Sequence, residues 1–300
     1  MHTWSWQTWE GSSYLTCSLL SPWPHGFFTR QTWPQTPDDL ISALRPGIRS
    51  LRVKQVHGNR VLNTSEILEF LAQQGGDTKP WPEADGLVSD ISGENSPASN
   101  ISASNIPANE IPVNELEDYG VWACSADCTP ILIADERTGS VAAVHAGWRG
   151  TAAKVLPHAI VRMQVNGSNL SDLRVAMGPA IAGEVYQVPI EVAAAVGKSI
   201  LELDGLDLPS PTLADQTITE MLMEFPSPPI LPDDRPGHVR LDVRQINVLQ
   251  LEQIGLSPLQ ISVSEHCTFQ DPERFFSYRR DNLKKVQWSG IVSRHCESAL

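Results

Sequence analysis

Cys128 and His145 are where the sequence first offers chemistry. Cys128 stands just before one short apolar run and His145 closes the next, with the polar turn DERTG between them. Both runs are bounded by turn formers and rich in β-formers or small apolar residues. That pattern predicts two buried strands joined by a tight turn. Pairing of those strands brings a thiol and an imidazole toward one point, as either a metal site or a cysteine nucleophile beside its base. His57 ends a third apolar stretch, LRVKQV, and precedes Gly58. Taken alone, each strand-end histidine also reads as an ordinary structural residue. Together, two imidazoles and a thiolate suit Zn²⁺ or copper, and three protein ligands leave a fourth position open, as catalytic sites do.

Neighbouring residues each carry more than one reading. Cys124 is a competing thiol on the same side of an extended chain as Cys128, and equally a small buried hydrophobe. Asp127 and Asp85 each suit orienting an imidazole, accepting a substrate hydrogen bond or capping a turn. Arg149, in GWRG, offers a guanidinium to phosphate or caps the helix that follows; Gly147 and Gly150 allow a ligand close to the backbone. Trp148 stacks on a base or packs inward. The run 275–281, with Tyr278, Arg279 and Arg280, supplies aromatic faces beside cations for a heterocycle and an anion, or forms an edge strand with a salt-bridged rim.

The elements that must position these groups alternate irregularly. Besides the central hairpin, strands are predicted near 26–29 and over 51–56, 84–89, 173–177, 259–263 and 286–292. Helices are predicted from Pro37, over 64–74, over 151–164 with a kink at Pro157, from Pro189, and over 238–253; a short element lies at 217–225. Loops fill 200–215 and 226–237. No phosphate-binding glycine fingerprint follows any strand, which argues against a doubly wound nucleotide fold.

A chain of 300 residues can bury a sizeable core without staples, as one large domain or two small ones. A formal charge of -13, with no basic patch interleaved with aromatics, argues against nucleic acid and anionic membrane as partners. A small anionic substrate needs only a local arginine. The cysteines, at 17, 124, 128, 267 and 296, are odd in number and contain no CxxC pair, so no disulfide framework is expected. The opening MHTWSWQTWEGSSYL has no secretion-signal pattern, and no apolar run is long enough to span a membrane; a cytoplasmic protein is expected. The Trp- and Ser-rich residues 1–23 read as an N-terminal extension that packs over the core or offers a partner surface. Residues 24–300 then form a single catalytic domain. Its segment 93–118, rich in Ser, Asn, Pro and Glu, reads as a flexible insertion.

The motifs around these residues resemble one family. They are Gln55-Val56-His57, Ala84-Asp85-Gly86, Ala126-Asp127-Cys128-Thr129-Pro130, His145-Ala146-Gly147-Trp148-Arg149-Gly150 and Phe276-Ser277-Tyr278-Arg279-Arg280-Asp281. The family is that of purine nucleoside phosphorylases and adenosine deaminases formerly called multicopper polyphenol oxidoreductases, or the laccase-domain family. The resemblance implies an α+β fold of mixed β-sheets packed face to face with helices outside. It implies a zinc site, with copper as the alternative, held by His57, Cys128 and His145, which are then also the catalytic centre. The implied substrates are purine nucleosides and phosphate. The implied activities are phosphorolysis, adenosine deamination and, where the ribose 5′ side is apolar, methylthioadenosine phosphorolysis. Arg149, Tyr278, Arg279 and Asp127 are the substrate-binding candidates. Other readings of the same residues are a copper-dependent polyphenol oxidoreductase and a cysteine hydrolase with Cys128 as nucleophile and His145 as base. The sequence departs from the family after Phe28-Thr29-Arg30, where paired glycines and an LNLG-like segment are missing.

Overall fold

Thr129–Asp135 and Val141–Ala146 are buried at every residue and pair antiparallel, with Pro130 opposite His145 and Ile133 opposite Ala142. A strand buried on both faces needs cover on both, and the rest of the chain supplies it. The structure is a computed structural model describing residues 2–74, 80–90, 118–201 and 215–294. The candidate insertion at 93–118 lies outside the described residues except for Asp118, as do Cys296 and most of the loop at 200–215.

In chain order, the elements begin with the hairpin β1 (Trp4–Trp9) and β2 (Ser12–Cys17), then β3 (His25–Phe28), α1 (Pro37–Leu44), β4 (Arg49–Leu51), β5 (Val61–Asn63), α2 (Thr64–Ala72) and β6 (Gly86–Val88). The central stretch forms β7 (Tyr119–Ser125), β8 (Thr129–Asp135), β9 (Val141–Ala146), α3 (Trp148–Ala152) and α4 (Val155–Val165). There follow β10 (Leu173–Met177), β11 (Gln187–Pro189), α5 (Ile190–Leu201), α6 (Asp215–Met223), β12 (Ile230–Pro232), β13 (His238–Leu241), α7 (Val243–Gln253), β14 (Ile261–Val263), α8 (Tyr278–Asp281) and β15 (Gln287–Val292).

Two six-stranded mixed sheets, β1-β2-β3-β15-β7-β4 and β14-β10-β8-β9-β6-β5, pack face to face. A third, three-stranded sheet is β11-β13-β12. Alternation along each strand sorts the side chains. Leu132 and Ala134 of β8 and Val141 and Ala143 of β9 face the first sheet, where Val121, Ala123 and Ile291 meet them. Ile131, Ile133, Ala142 and Val144 face the opposite way, into a layer with Leu156, Ile160 and Met163 of α4 and Leu251 of α7. On the far side of the first sheet, Trp122 packs with Leu40 and Ile41 of α1. The expected α+β architecture is the one found. None of the described helices is long and apolar enough to cross a membrane.

Several local expectations are corrected. The strand read at 51–56 is shorter and earlier, since β4 ends at Leu51. Lys54 keeps only an isolated bridge to Glu83, and the Gln55 side chain bonds both backbone groups of Cys124, at 2.8 Å each. The helix expected over 151–164 is two helices; Lys154, at φ 60°, breaks it, and Pro157 lies in the first turn of α4, where no N–H is required of it. The helix expected over 238–253 begins only at Val243, because Asp242 caps it by accepting from the Gln245 N–H at 3.1 Å. The Trp-rich opening carries two strands that the sequence reading did not assign. Trp4 packs on Phe27 and its Nε1–H donates to Ser262 Oγ at 3.0 Å, while the exposed Trp6 meets the His266 ring at a tilt. Trp4 therefore packs over the core beside β14.

Candidate metal centre

His145 shares the face of β9 that looks between the two sheets, by the same alternation that places Val141 and Ala143 there. It lies one residue before the end of the strand. Cys128 immediately precedes β8, and His57 sits on the loop after β4 in the left-handed region, at φ 61°. The ligand atoms of His57, Cys128 and His145 all lie within 4.8 Å of one another. The two imidazoles meet edge to face, 4.9 Å between ring centres. A Cβ added to Gly147 would stand 2.7 Å from Cys128 Sγ, so the chain passes the thiol here only because this residue has no side chain.

Asp85 ties this arrangement together. Its carboxylate is buried and accepts from the backbone N–H groups of His57 at 2.9 Å, Gly58 at 2.6 Å and Val56 at 3.3 Å. It also lies 2.9 Å from His145 Nδ1. An ionised carboxylate only accepts, so Nδ1 carries the proton and Nε2 is left for a ligand. Of the readings of Asp85, its bonds match orienting an imidazole and capping a turn.

Burial opposes ionisation of Cys128, but the adjacent His145 and His57 outweigh it and bring the thiol down to about 6. Burial likewise disfavours charge on His145, yet the Cys128 thiolate and the Asp85 bond hold it up at about 9. Each of the two groups thus favours the charged form of the other. Cys124 behaves oppositely: burial pushes its thiol up to about 12, and it is no part of the ligand cluster. A thiolate and two imidazoles are a donor set for zinc, and donors on one tetrahedral zinc stand about 3.5 Å apart given its bond lengths. The cluster therefore fits such an ion after small shifts.

The remaining candidates fall into distinct places. Asp127, at φ 95°, uses its carboxylate to join two loops, accepting from Thr268 Oγ1–H and from the Arg279 N–H, both at 2.7 Å. Arg279 donates from its guanidinium to the Gln187 carbonyl at 2.7 Å and lies 4.7 Å over the Tyr186 ring. Arg149 is exposed, with its guanidinium 4.3 Å from the ring centre of Trp148. Tyr278 is exposed at the start of α8.

Arg280 is not free for an anion. Its five N–H groups are taken by the carbonyls of Thr268, Phe269 and Phe275 and by both oxygens of Asp281. Nor is 275–281 an edge strand, since α8 forms there. Tyr186 was missed. Burial first, then the charges of Cys128 and Asp127 against those of Arg279 and Arg149, push its phenol up to about 12. It is thus a protonated, half-buried hydroxyl within electrostatic reach of all four residues. Its only sequence signal was an aromatic placed shortly after Gly178-Pro179-Ala180-Ile181.

Residues 111–292 match the family described as multi-copper polyphenol oxidoreductase laccase. The chain belongs to this family. Within it, the chain is similar to a purine nucleoside phosphorylase of Synechocystis, 47% identical over 291 residues and covering 97% of each protein. It is also similar to a protein named adenosine deaminase RL5 from an unknown prokaryotic organism, at 29% identity over 52% of this chain and 51% of that one. Among solved structures it is similar to YlmD from Geobacillus stearothermophilus, with a TM-score of 0.66 and 25% identity over 97% of this chain and 99% of that one. The Bacillus licheniformis protein YfiH shares the fold, with a TM-score of 0.64 over 96% and 98% of the two chains. Among the described residues, this laccase-domain chain has one cluster of three metal-ligating side chains.

Proposed function

We propose that this chain is a zinc-dependent purine nucleoside phosphorylase whose centre is His57, Cys128 and His145. The observation that carries the reading is the convergence of these three side chains, in a chain so similar along its length to the Synechocystis phosphorylase. When bound, zinc supplies Lewis-acid polarisation of an oxygen held against it. The protein's own residues do the rest. Asp85 holds His145 in one tautomer. Arg279 and Arg149 supply positive charge for phosphate, and Tyr278 and Tyr186 supply aromatic surface and hydroxyls for the nucleoside. Asp127 acts through Arg279, whose backbone it anchors. In the reaction, a phosphate oxygen bonds to ribose C1′ as the bond from C1′ to the purine nitrogen breaks. The enzyme works in the cytoplasm on free nucleosides, as a single catalytic domain with the insertion at 93–118.

Adenosine deamination at the same centre is the second reading, favoured by the similarity to the protein named adenosine deaminase RL5. Methylthioadenosine phosphorolysis is a third activity to assay. Copper-dependent phenol oxidation is less well supplied. Multicopper chemistry draws on many histidines, and the eight here include no His-x-His pair. A cysteine hydrolase would use the Cys128–His145 pair, but gives no role to His57 beside it.

The test is metal analysis of the purified protein coupled to nucleoside assays with and without phosphate. Stoichiometric zinc and phosphate-dependent release of free purine are expected. Full turnover in metal-free protein, or a copper signal with phenol oxidation, would sink the reading.

A further inference from the structure

We infer that Asp85 is a positioning residue that fixes two of the three ligands, His57 and His145, through a single carboxylate. The inference rests on the zinc reading above. Asp85 is 1% exposed and lies between two segments distant in sequence. Oδ1 accepts from the His57 N–H and from His145 Nδ1–H, both at 2.9 Å. Oδ2 accepts from the Gly58 N–H at 2.6 Å and the Val56 N–H at 3.3 Å. The Asp85 carbonyl also accepts from the His145 N–H at 2.8 Å, so His145 is held at both its backbone and its ring.

These bonds have two separate effects. On one side, three successive N–H groups converge on a negative charge, which holds His57 in a left-handed conformation that a residue with a side chain adopts reluctantly. On the other, the ring of His145 is locked with its proton on Nδ1. A carboxylate has two acceptor oxygens for the four donors, whereas an asparagine has one, and its NH₂ would oppose an N–H. Gln55 provides a contrast. Its amide pins the same loop from the other side, to the Cys124 backbone, and no hydrogen bond joins it to His145.

The experiment compares Asp85→Asn with Gln55→Ala. Zn²⁺ affinity is measured by competition with a chromophoric chelator. The Nδ1-bound proton of His145 is followed by ¹⁵N-resolved NMR, with and without zinc. Asp85→Asn is expected to lose about 10- to 100-fold in zinc affinity, the usual cost of removing a carboxylate behind a ligating histidine, and to lose the slowly exchanging Nδ1 proton. Gln55→Ala is expected to keep that proton and lose less affinity. Parent-like zinc affinity and an unchanged Nδ1 proton in Asp85→Asn would overturn the inference, as would the same loss of both in Gln55→Ala. Should Asp85→Asn fail to fold, the parent protein decides: a His145 proton on Nε2 alone refutes the role and a protected one on Nδ1 supports it. Absence of zinc binding in the parent refutes the zinc reading instead, and the metal-free NMR measurement still reports on Asp85.

Discussion

His57 and His145 stand with their rings 4.9 Å apart at 84°, although the one leaves the first sheet and the other ends a strand of the second. Neither sheet contains the site alone. The centre exists because the two layers pack in one register, and Cys128 enters where β7 of the first sheet leads into β8 of the second.

Removal of any member of the cluster is expected to abolish stoichiometric zinc. His57→Ala, Cys128→Ala and His145→Ala should each lower phosphorolysis by about 100-fold or more, a larger effect than loss of a residue behind a ligand. Far-ultraviolet circular dichroism should stay native. Metal content and nucleoside turnover, measured on the same samples, check this.

Gly147→Ala tests crowding at the thiol. Gly147 has φ -79°, which alanine adopts freely, so the substitution adds a methyl and no backbone strain. That methyl would sit 2.7 Å from Cys128 Sγ. The expected result is weaker zinc binding and a stability loss of about 1–3 kcal/mol, as for overpacking elsewhere. Chelator competition and urea unfolding report the two quantities.

Arg279 and Arg280, adjacent in sequence, should respond differently. Arg280→Lys is expected to cost about 2–3 kcal/mol, because an ammonium offers three donors where five acceptors wait. Arg279→Lys should change stability by less than about 1 kcal/mol and raise the KM for phosphate. A KM change confined to Arg280→Lys would reverse the assignment.

His25 supplies a pH dependence away from the metal centre. It is buried, with Nδ1–H donating to the Trp23 carbonyl and Nε2 accepting from the Cys17 N–H, both at 2.8 Å. Burial lowers its pKa against the pull of these bonds. The folded state therefore takes up the proton less readily than the unfolded chain. The stability from this residue is complete above about pH 6.5 and is lost as pH falls below that value. Urea midpoints should decline from pH 7.5 to 5.5, and His25→Gln should flatten that part of the decline.

Cys128 and His145 were legible in the sequence because they flank strongly apolar runs, whereas His57 stands on a loop well after β4 ends at Leu51. Thr129–Asp135 and Val141–Ala146 announced themselves by burial alone, and their pairing placed His145 beside the entry to β8. The choice between Cys124 and Cys128 was left open by composition and spacing; Cys128 lies in the candidate cluster with His57 and His145, and burial raises the Cys124 thiol. Asp85 was ambiguous because no local pattern shows that a carboxylate will receive N–H groups from 56–58 and an imidazole from β9. Arg280 misled for a similar reason: its acceptors are mostly backbone carbonyls, which sequence does not display. The β1–β2 hairpin was obscured because its tryptophans are only partly covered, and by residues distant in sequence such as Phe27, Ser262 and His266.

In the first sheet, β15 lies between β3 and β7, so Ser289 pairs with Phe27 on one side and Ala123 on the other. The last strand among the described residues is thus a keystone rather than an edge. While residues 287–292 are still inside the ribosome, the β1–β3 strands and the β4–β7 pair have no strand between them to complete the ladder, and the floor beneath the centre stays in two hydrogen-bonded pieces. Long-range pairings of this kind close slowly. Loss of β15 would therefore cut the sheet in half instead of trimming it, and the centre would go with it.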